Sequence, residues 1–174
     1  NLVPVKGHQT LIEAVKDLPD IFLVIAGRPD DKSYVEELNS LINTHQLQKR
    51  VKLLGGIDNV AQFLSELDVF VLPTLAKWRM EGCPVALLEA LSGGIACIAT
   101  KNPGSRDILS NGQGGILVTP ESVSEQKAGI HKILNSDNTK QKMKLAARKT
   151  VEENYTIERE VRDHEDLYSS LLVP

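Results

Sequence analysis

Aromatic residues are scarce in this 174-residue chain, at 4%, and only one is a tryptophan. Its core must therefore be assembled from Leu, Ile, Val and Ala. Cysteine is limited to Cys83 and Cys97, whose spacing fits neither a metal site nor a disulfide framework. The four histidines, His8, His45, His131 and His164, are scattered and read as surface or satisfied side chains rather than ligands. No run of about 18 apolar residues occurs, so no segment reads as a membrane-spanning helix. Positive charge is not in excess. A net charge of −3 argues against nucleic-acid binding by general phosphate attraction.

Several signatures of nucleotide and acyl chemistry are also missing. No G-x-G-x-x-G follows an apolar run, and no G-x-x-x-x-G-K-S/T occurs, which excludes the common dinucleotide and P-loop sites. No G-x-S-x-G elbow supports a serine hydrolase. What is present is an alternation. Short, nearly continuous apolar runs at 21–26, 51–54, 69–72, 95–99 and 116–118 read as strands buried on both faces. Amphipathic runs between them read as helices. The first covers 8–15. The second covers 33–46, with Ser33 and Glu36 in capping-box spacing. A third is capped by Asp58, and a fourth starts at Pro84. A short one near 105–110 ends at Asn111-Gly112, and three close the chain at about 121–135, 138–153 and 156–172. Strand–helix alternation predicts an α/β fold with a doubly wound, Rossmann-like parallel sheet, in which the 67–72 and 95–99 strands are neighbours. The chain opens on a loop and a helix, where such a fold starts with its central strand. That first strand is expected upstream of residue 1.

Ligands of open α/β sheets sit beyond the carboxyl ends of the strands, which directs attention to "EGCPVALLEALSGG", residues 81–94. Pro84 favours the first helical position, because its missing N–H would be orphaned there anyway. The following amides, of Val85, Ala86 and Leu87, then point out of the helix end as an anion site. Gly82 allows close approach to the backbone. Glu81 lies at the mouth of this apolar helix and Glu89 within it. Neighbours of Glu89 on the helix surface, Val85, Ala86, Ser92 and Gly93, are mostly small and leave room for a ligand. A buried, unpaired carboxylate costs several kcal/mol, so Glu89 has to face a cleft, a ligand or a cation. Carboxylates accept paired hydrogen bonds from vicinal hydroxyls. A phosphate site between two diol readers describes a nucleotide-sugar.

The ordered set "VKGHQTLIEAV", "LVIAG", "VKLLGGI", "LDVFVLPT", "EGCPVALLEAL", "IACIAT" and "GGILVTP" resembles the C-terminal, donor-binding half of GT-B glycosyltransferases of the large retaining group 1 (family 4) type. The resemblance covers the whole chain. Its strongest element is the E-x7-E spacing of Glu81 and Glu89. It implies a single nucleotide-sugar-binding domain over 1–174, whose N-terminal acceptor domain is absent from this chain. It further implies that Glu81 holds hydroxyls of the transferred sugar and Glu89 the ribose diol. The backbone of Gly82, Cys83, Pro84, Val85 and Ala86 would cradle sugar and diphosphate. Lys6 would neutralise the leaving diphosphate, and the base would lie against Gly55, Gly56 and Ile57.

One departure from the family pattern is Asn1, which stands where the family usually has a second diphosphate-binding arginine. Lys77 or Arg79 in the 75–80 loop, or Arg28 after the first of the apolar runs, could supply that charge. Cys83 reads as a spacer. The resemblance implies a hexosyltransferase that uses a nucleoside-diphosphate sugar as donor, with no cofactor or metal. Its acceptor would be a sugar or lipid-linked hydroxyl bound through the absent domain, and this piece alone would be inactive. It also implies polysaccharide biosynthesis in the cytoplasm, with peripheral association of the full-length protein at the inner face of the membrane. A sugar-nucleotide epimerase of related architecture, or a nucleotide-sugar-binding module without turnover, are the alternatives.

Overall fold

The computed structural model describes residues 1–75, 82–110 and 114–172. Glu81, Lys77, Arg79 and the Asn111-Gly112 stop signal lie outside the described residues. Five parallel strands are seen: β1 (Leu23–Ala26), β2 (Val51–Gly55), β3 (Val69–Leu72), β4 (Ala96–Thr100) and β5 (Gly115–Val118). β1 pairs with β2, and β3, β4 and β5 form a second ladder in that order. Val69 lies opposite Ala96, so the 67–72 and 95–99 segments are neighbours, as the alternation predicts.

All of β4 is buried, and its alternate residues feed two cores. Ala96 and Ile98 face Ile12 and Val15 of α1 (His8–Lys16), Leu38 of α2 (Lys32–Thr44) and Ile133 of α6 (Val123–Leu134). Cys97 and Ala99 face Leu64 of α3 (Val60–Ser65), Leu87 and Leu91 of α4 (Val85–Ser92) and Ile108 of α5 (Pro103–Ser110). Each such Leu or Ile contributes about 1.5–3 kcal/mol by leaving water. The strand runs are continuous because helices cover both sheet faces. α7 (Asp137–Asn154) gives Met143 to one core and Ala147 to the other. α8 (Ile157–Leu171) buries no residue, and its Ile157, Val161, Tyr168 and Leu171 are exposed. Among the described residues, no helix is long and apolar enough to cross a membrane.

Several boundaries differ from the sequence expectation. β1 starts at Leu23, and Phe22 is left 76% exposed. α2 is capped by Asp31 instead of Ser33. The Asp31 carboxylate accepts from the Tyr34 N–H (3.1 Å) and from the Ser33 hydroxyl (2.8 Å), and a carboxylate is the stronger acceptor. α3 is capped by Asn59, which accepts from the Gln62 N–H at 3.0 Å, and not by Asp58. α5 begins earlier than expected, at Pro103. The carboxyl end of α1 is closed by Arg50. Its guanidinium donates to the carbonyls of Val15, Lys16, Leu18 and Ile21, opposite in charge to the helix end.

The expected sheet is interrupted. Among the described residues, β1 and β3 share no ladder. The entry segment instead bridges their carboxyl ends. Leu2 N–H donates to the Arg28 carbonyl just past β1 (2.8 Å), and Leu75 N–H just past β3 donates to the Val5 carbonyl (2.8 Å). Between these ties lies a 3-10 turn, Pro4–Lys6, closed by Gly7 at φ 69°. The turn that carries Lys6 lies between the ends of the two ladders.

Candidate donor site

A groove of about 480 Å³ runs along the carboxyl edge of the sheet. One wall is Ala26, Gly27 and Arg28 at the end of β1, with Asn1 beside them; another is Gly56, Ile57 and Asp58 after β2. Ala86 and Glu89 of α4 close the far side. Six residues singled out from sequence, Asn1, Arg28, Gly56, Ile57, Ala86 and Glu89, are thus brought together on one opening. Lys6, Gly55, Gly82, Cys83, Pro84 and Val85 are not part of its lining. Gly82, Cys83 and Val85 are exposed ahead of or at the start of α4, and the Gly55 carbonyl accepts from Gly27 N–H at 2.8 Å, which ties the two lips together.

Glu89 is exposed, not buried in an oily helix. Only Leu87, Ala90 and Leu91 of α4 are buried. The small residues expected around Glu89 form its other face, with Ala86 and Gly93 open to solvent. Among the described residues, no ion pair or side-chain hydrogen bond engages the Glu89 carboxylate, so it is not consumed by a structural salt bridge.

The helix mouth also differs from expectation. Pro84 is the N-cap, at φ −77° and ψ 89°, and not the first helical residue. Its carbonyl accepts from Leu87 N–H (2.9 Å) and Leu88 N–H (3.3 Å). Leu87 is therefore withdrawn from the set of open amides. Val85 and Ala86 remain, and no hydrogen bond among the described residues engages their N–H groups. Such a mouth carries about half a positive charge.

The base of the groove was not foreseen. Val60, Phe63 and Leu64 of α3 and Phe70 of β3 line it. The α3 residues read from sequence as a core-facing helical stripe. That stripe does touch the core through Leu64, but it also forms the apolar floor beneath the β2 loop. An apolar floor with polar lips is the usual make-up of a small-molecule site. A second hollow of about 360 Å³ lies between α1 and α2, bordered by Glu13 and Glu37. Two carboxylates suit it poorly to a diphosphate. Arg28, 3.9 Å from Asp30, has a side chain 74% exposed, so this pair is a weak tie that leaves the guanidinium available to the groove. Among the described residues, no cluster of His, Cys, Asp or Glu could hold a metal ion.

His8 follows the Lys6 turn directly and is half-buried against Tyr34, whose hydroxyl lies 3.4 Å from Nδ1. Burial pushes His8 down to about 4, and the positive charge on Lys6 acts in the same sense. It is neutral at pH 7. With an unfolded value near 6.5, the unfolded chain binds more protons than the native one between the two values. Stability should therefore be complete above about pH 6.5 and lost on acidification toward 4. The expected loss is about 1–2 kcal/mol between pH 7 and pH 5. Urea melts at the two pH values check this, and His8→Phe should flatten the difference.

Taken together, these features describe a Rossmann-like half with its ligand groove at the carboxyl strand edge. The chain belongs to the group 1 glycosyl transferases, whose family profile it matches over residues 1–150. It is similar to a UDP-Gal:alpha-D-GlcNAc-diphosphoundecaprenol alpha-1,3-galactosyltransferase of Escherichia coli, 30% identical over 157 residues, 90% of this chain and 38% of that protein. A 2-deoxystreptamine N-acetyl-D-glucosaminyltransferase of Niallia circulans is 28% identical, over 95% of this chain and 42% of its own length. Among solved structures, Anabaena HepE in complex with UDP-glucose superposes with a TM-score of 0.90 at 23% identity, over 98% of this chain and 47% of that one. The C-terminal domain of the group 1 protein LpcC of Francisella tularensis gives 0.77 at 26% identity, over 89% of this chain and 82% of that one. The fold is that of one half of a GT-B enzyme. The chain spans less than half the length of the curated relatives it matches.

Proposed function

We propose that this chain is the donor-binding half of a retaining hexosyltransferase that uses a nucleoside-diphosphate sugar. The observation that carries the reading is the Glu89 carboxylate, exposed, without a partner among the described residues, and opening on the same groove as the lips after β1 and β2. In that groove Glu89 accepts from the two ribose hydroxyls. The base lies over the apolar floor, against Gly56 and Ile57. The diphosphate lies toward Val85 and Ala86 N–H and Lys6, which meet its charge without a metal ion. Glu81 takes the hydroxyls of the sugar. In the reaction the bond from the anomeric carbon to the diphosphate oxygen breaks. The acceptor hydroxyl oxygen bonds to that carbon on the same face, and its proton passes to the departing diphosphate.

The acceptor belongs to a second, N-terminal half of the parent protein. The exposed apolar face of α8 offers that half a surface to pack against. Acidic side chains dominate the rest of α8, with Glu158, Glu160, Asp163, Glu165 and Asp166 against Arg159 and Arg162. That charge favours a protein neighbour over an anionic lipid surface. A cytoplasmic enzyme of polysaccharide assembly, with a sugar or lipid-linked acceptor, fits this reading.

Glu89→Gln should weaken binding of UDP or GDP, whichever the parent prefers, by about 1.5–3 kcal/mol, the worth of a hydrogen bond to a charged group. Titration calorimetry of parent and variant measures it, after a thermal-shift screen of UDP-, GDP- and ADP-sugars picks the nucleotide. Equal affinities would sink the ribose assignment.

A further inference from the structure

We propose that Thr100 and Asn102, at the carboxyl end of β4, are positioning residues for Lys6. The proposal rests on the reading of Lys6 as the cation at the leaving diphosphate. Both side chains are inaccessible, at 0% and 1% exposure, and both converge on one backbone atom. The Thr100 hydroxyl donates to the Thr74 carbonyl at 2.7 Å, and Asn102 Nδ2 donates to the same oxygen at 3.2 Å and to Thr100 Oγ1 at 3.0 Å. A carbonyl only accepts, so the Asn102 amide is oriented by its partner. Two donors fill both lone pairs of that oxygen. Asn102 stands just ahead of α5, where an asparagine would ordinarily accept from a helix N–H. Its amide nitrogen is spent on the neighbouring strand end.

Thr74 is the link between this clamp and the entry segment. The next residue, Leu75, donates its N–H to the Val5 carbonyl at 2.8 Å, and Val5 is the central residue of the Pro4–Lys6 turn. Pro73, on the other side, has no N–H to anchor this strand end. Two backbone hydrogen bonds of the turn, Lys6 N–H to Val3 and Gly7 N–H to Pro4, are internal. From the β3 side, the Leu75 hydrogen bond thus helps to set the place of the turn, and the doubly held Thr74 carbonyl fixes the peptide that carries the Leu75 N–H. A displacement of this strand end moves the Lys6 backbone with it.

The test uses the full-length enzyme, with steady-state kinetics and melting temperatures for Asn102→Ala, Thr100→Val and Thr100→Ser, and for Asn102→Ala combined with Lys6→Ala. Small misplacements of a catalytic group lower turnover strongly, so Asn102→Ala and Thr100→Val should each lower kcat about tenfold with little change in the donor KM. Thr100→Ser, which keeps the hydroxyl, should recover most of the loss. In the Lys6→Ala background, Asn102→Ala should cost less than about twofold more, because residues acting through one group are non-additive. Losses that multiply in the double variant would overturn the positioning role and leave the reading of Lys6 intact. Parental kcat in Asn102→Ala and Thr100→Val would do the same. Parental kcat in Lys6→Ala would overturn both. Should Asn102→Ala fold poorly, the near-isosteric Thr100→Val and its serine counterpart decide the question alone.

Discussion

Lys6→Ala in the full-length enzyme should lower turnover by about a hundredfold or more, by analogy with the loss of one oxyanion donor, and raise the donor KM by much less. Negative charge builds on the diphosphate as the bond to the anomeric carbon breaks. A cation placed there binds the transition state better than the ground state, and such an interaction appears in kcat. On the proposed reading, the entry segment would carry Lys6 toward the diphosphate. Its turn bridges the ends of β1 and β3, and Asn1, five residues earlier, lines the groove. With asparagine at position 1, where the resemblance leads one to expect an arginine, Lys6 would carry more of the charge neutralisation. Steady-state kinetics with varied donor separates the two constants. Parental turnover in Lys6→Ala would assign the diphosphate to another cation, with Lys77 and Arg79 the first to examine.

The strands were legible because they are covered on both faces. The run Ile95–Ala99 has no polar residue to mark an exposed side, and the structure feeds its alternate side chains to two different cores. Glu89 was legible for a related reason. An acid amid apolar and small residues demands an opening, and it lies on the groove. Helix starts were less so. Ser33 competes with Asp31, and Asp58 with Asn59, as neighbouring residues of similar capping strength, and tertiary placement decides between them. Pro84 is compatible with either the cap or the first turn. The choice moved the open amides from three residues to two. Phe63 and Phe70 were missed as groove residues because periodicity reports which helix face is apolar, not whether a strand or a cleft lies beneath it. The bridge made by the entry segment has no local signature at all. It depends on Gly7 meeting Pro73, 66 positions apart in sequence.

Gly7→Ala should be the most damaging single-atom addition near the groove. Gly7 sits at φ 69°, and a Cβ there would lie 2.1 Å from the Pro73 carbonyl oxygen and 3.0 Å from Leu75 Cδ2. The left-handed backbone alone costs an alanine about 1 kcal/mol. The approach to the Pro73 oxygen is a second and larger cost, since that atom is backbone and no rotamer change removes it. Either the end of β3 or the Lys6 turn must move, and the Val5–Leu75 hydrogen bond spans the two. A total destabilisation of about 2–4 kcal/mol is expected, in the range of overpacking combined with backbone strain. Turnover should fall as well in the full-length enzyme, because the moving part carries Lys6. Gly55→Ala separates the two costs. Gly55 has φ 73°, but nothing lies within 4 Å of its added Cβ, so it should lose only the conformational part, about 1 kcal/mol. Urea denaturation of both variants at pH 7 reads the difference, and equal losses would mean that the entry segment yields freely and is not held against β3.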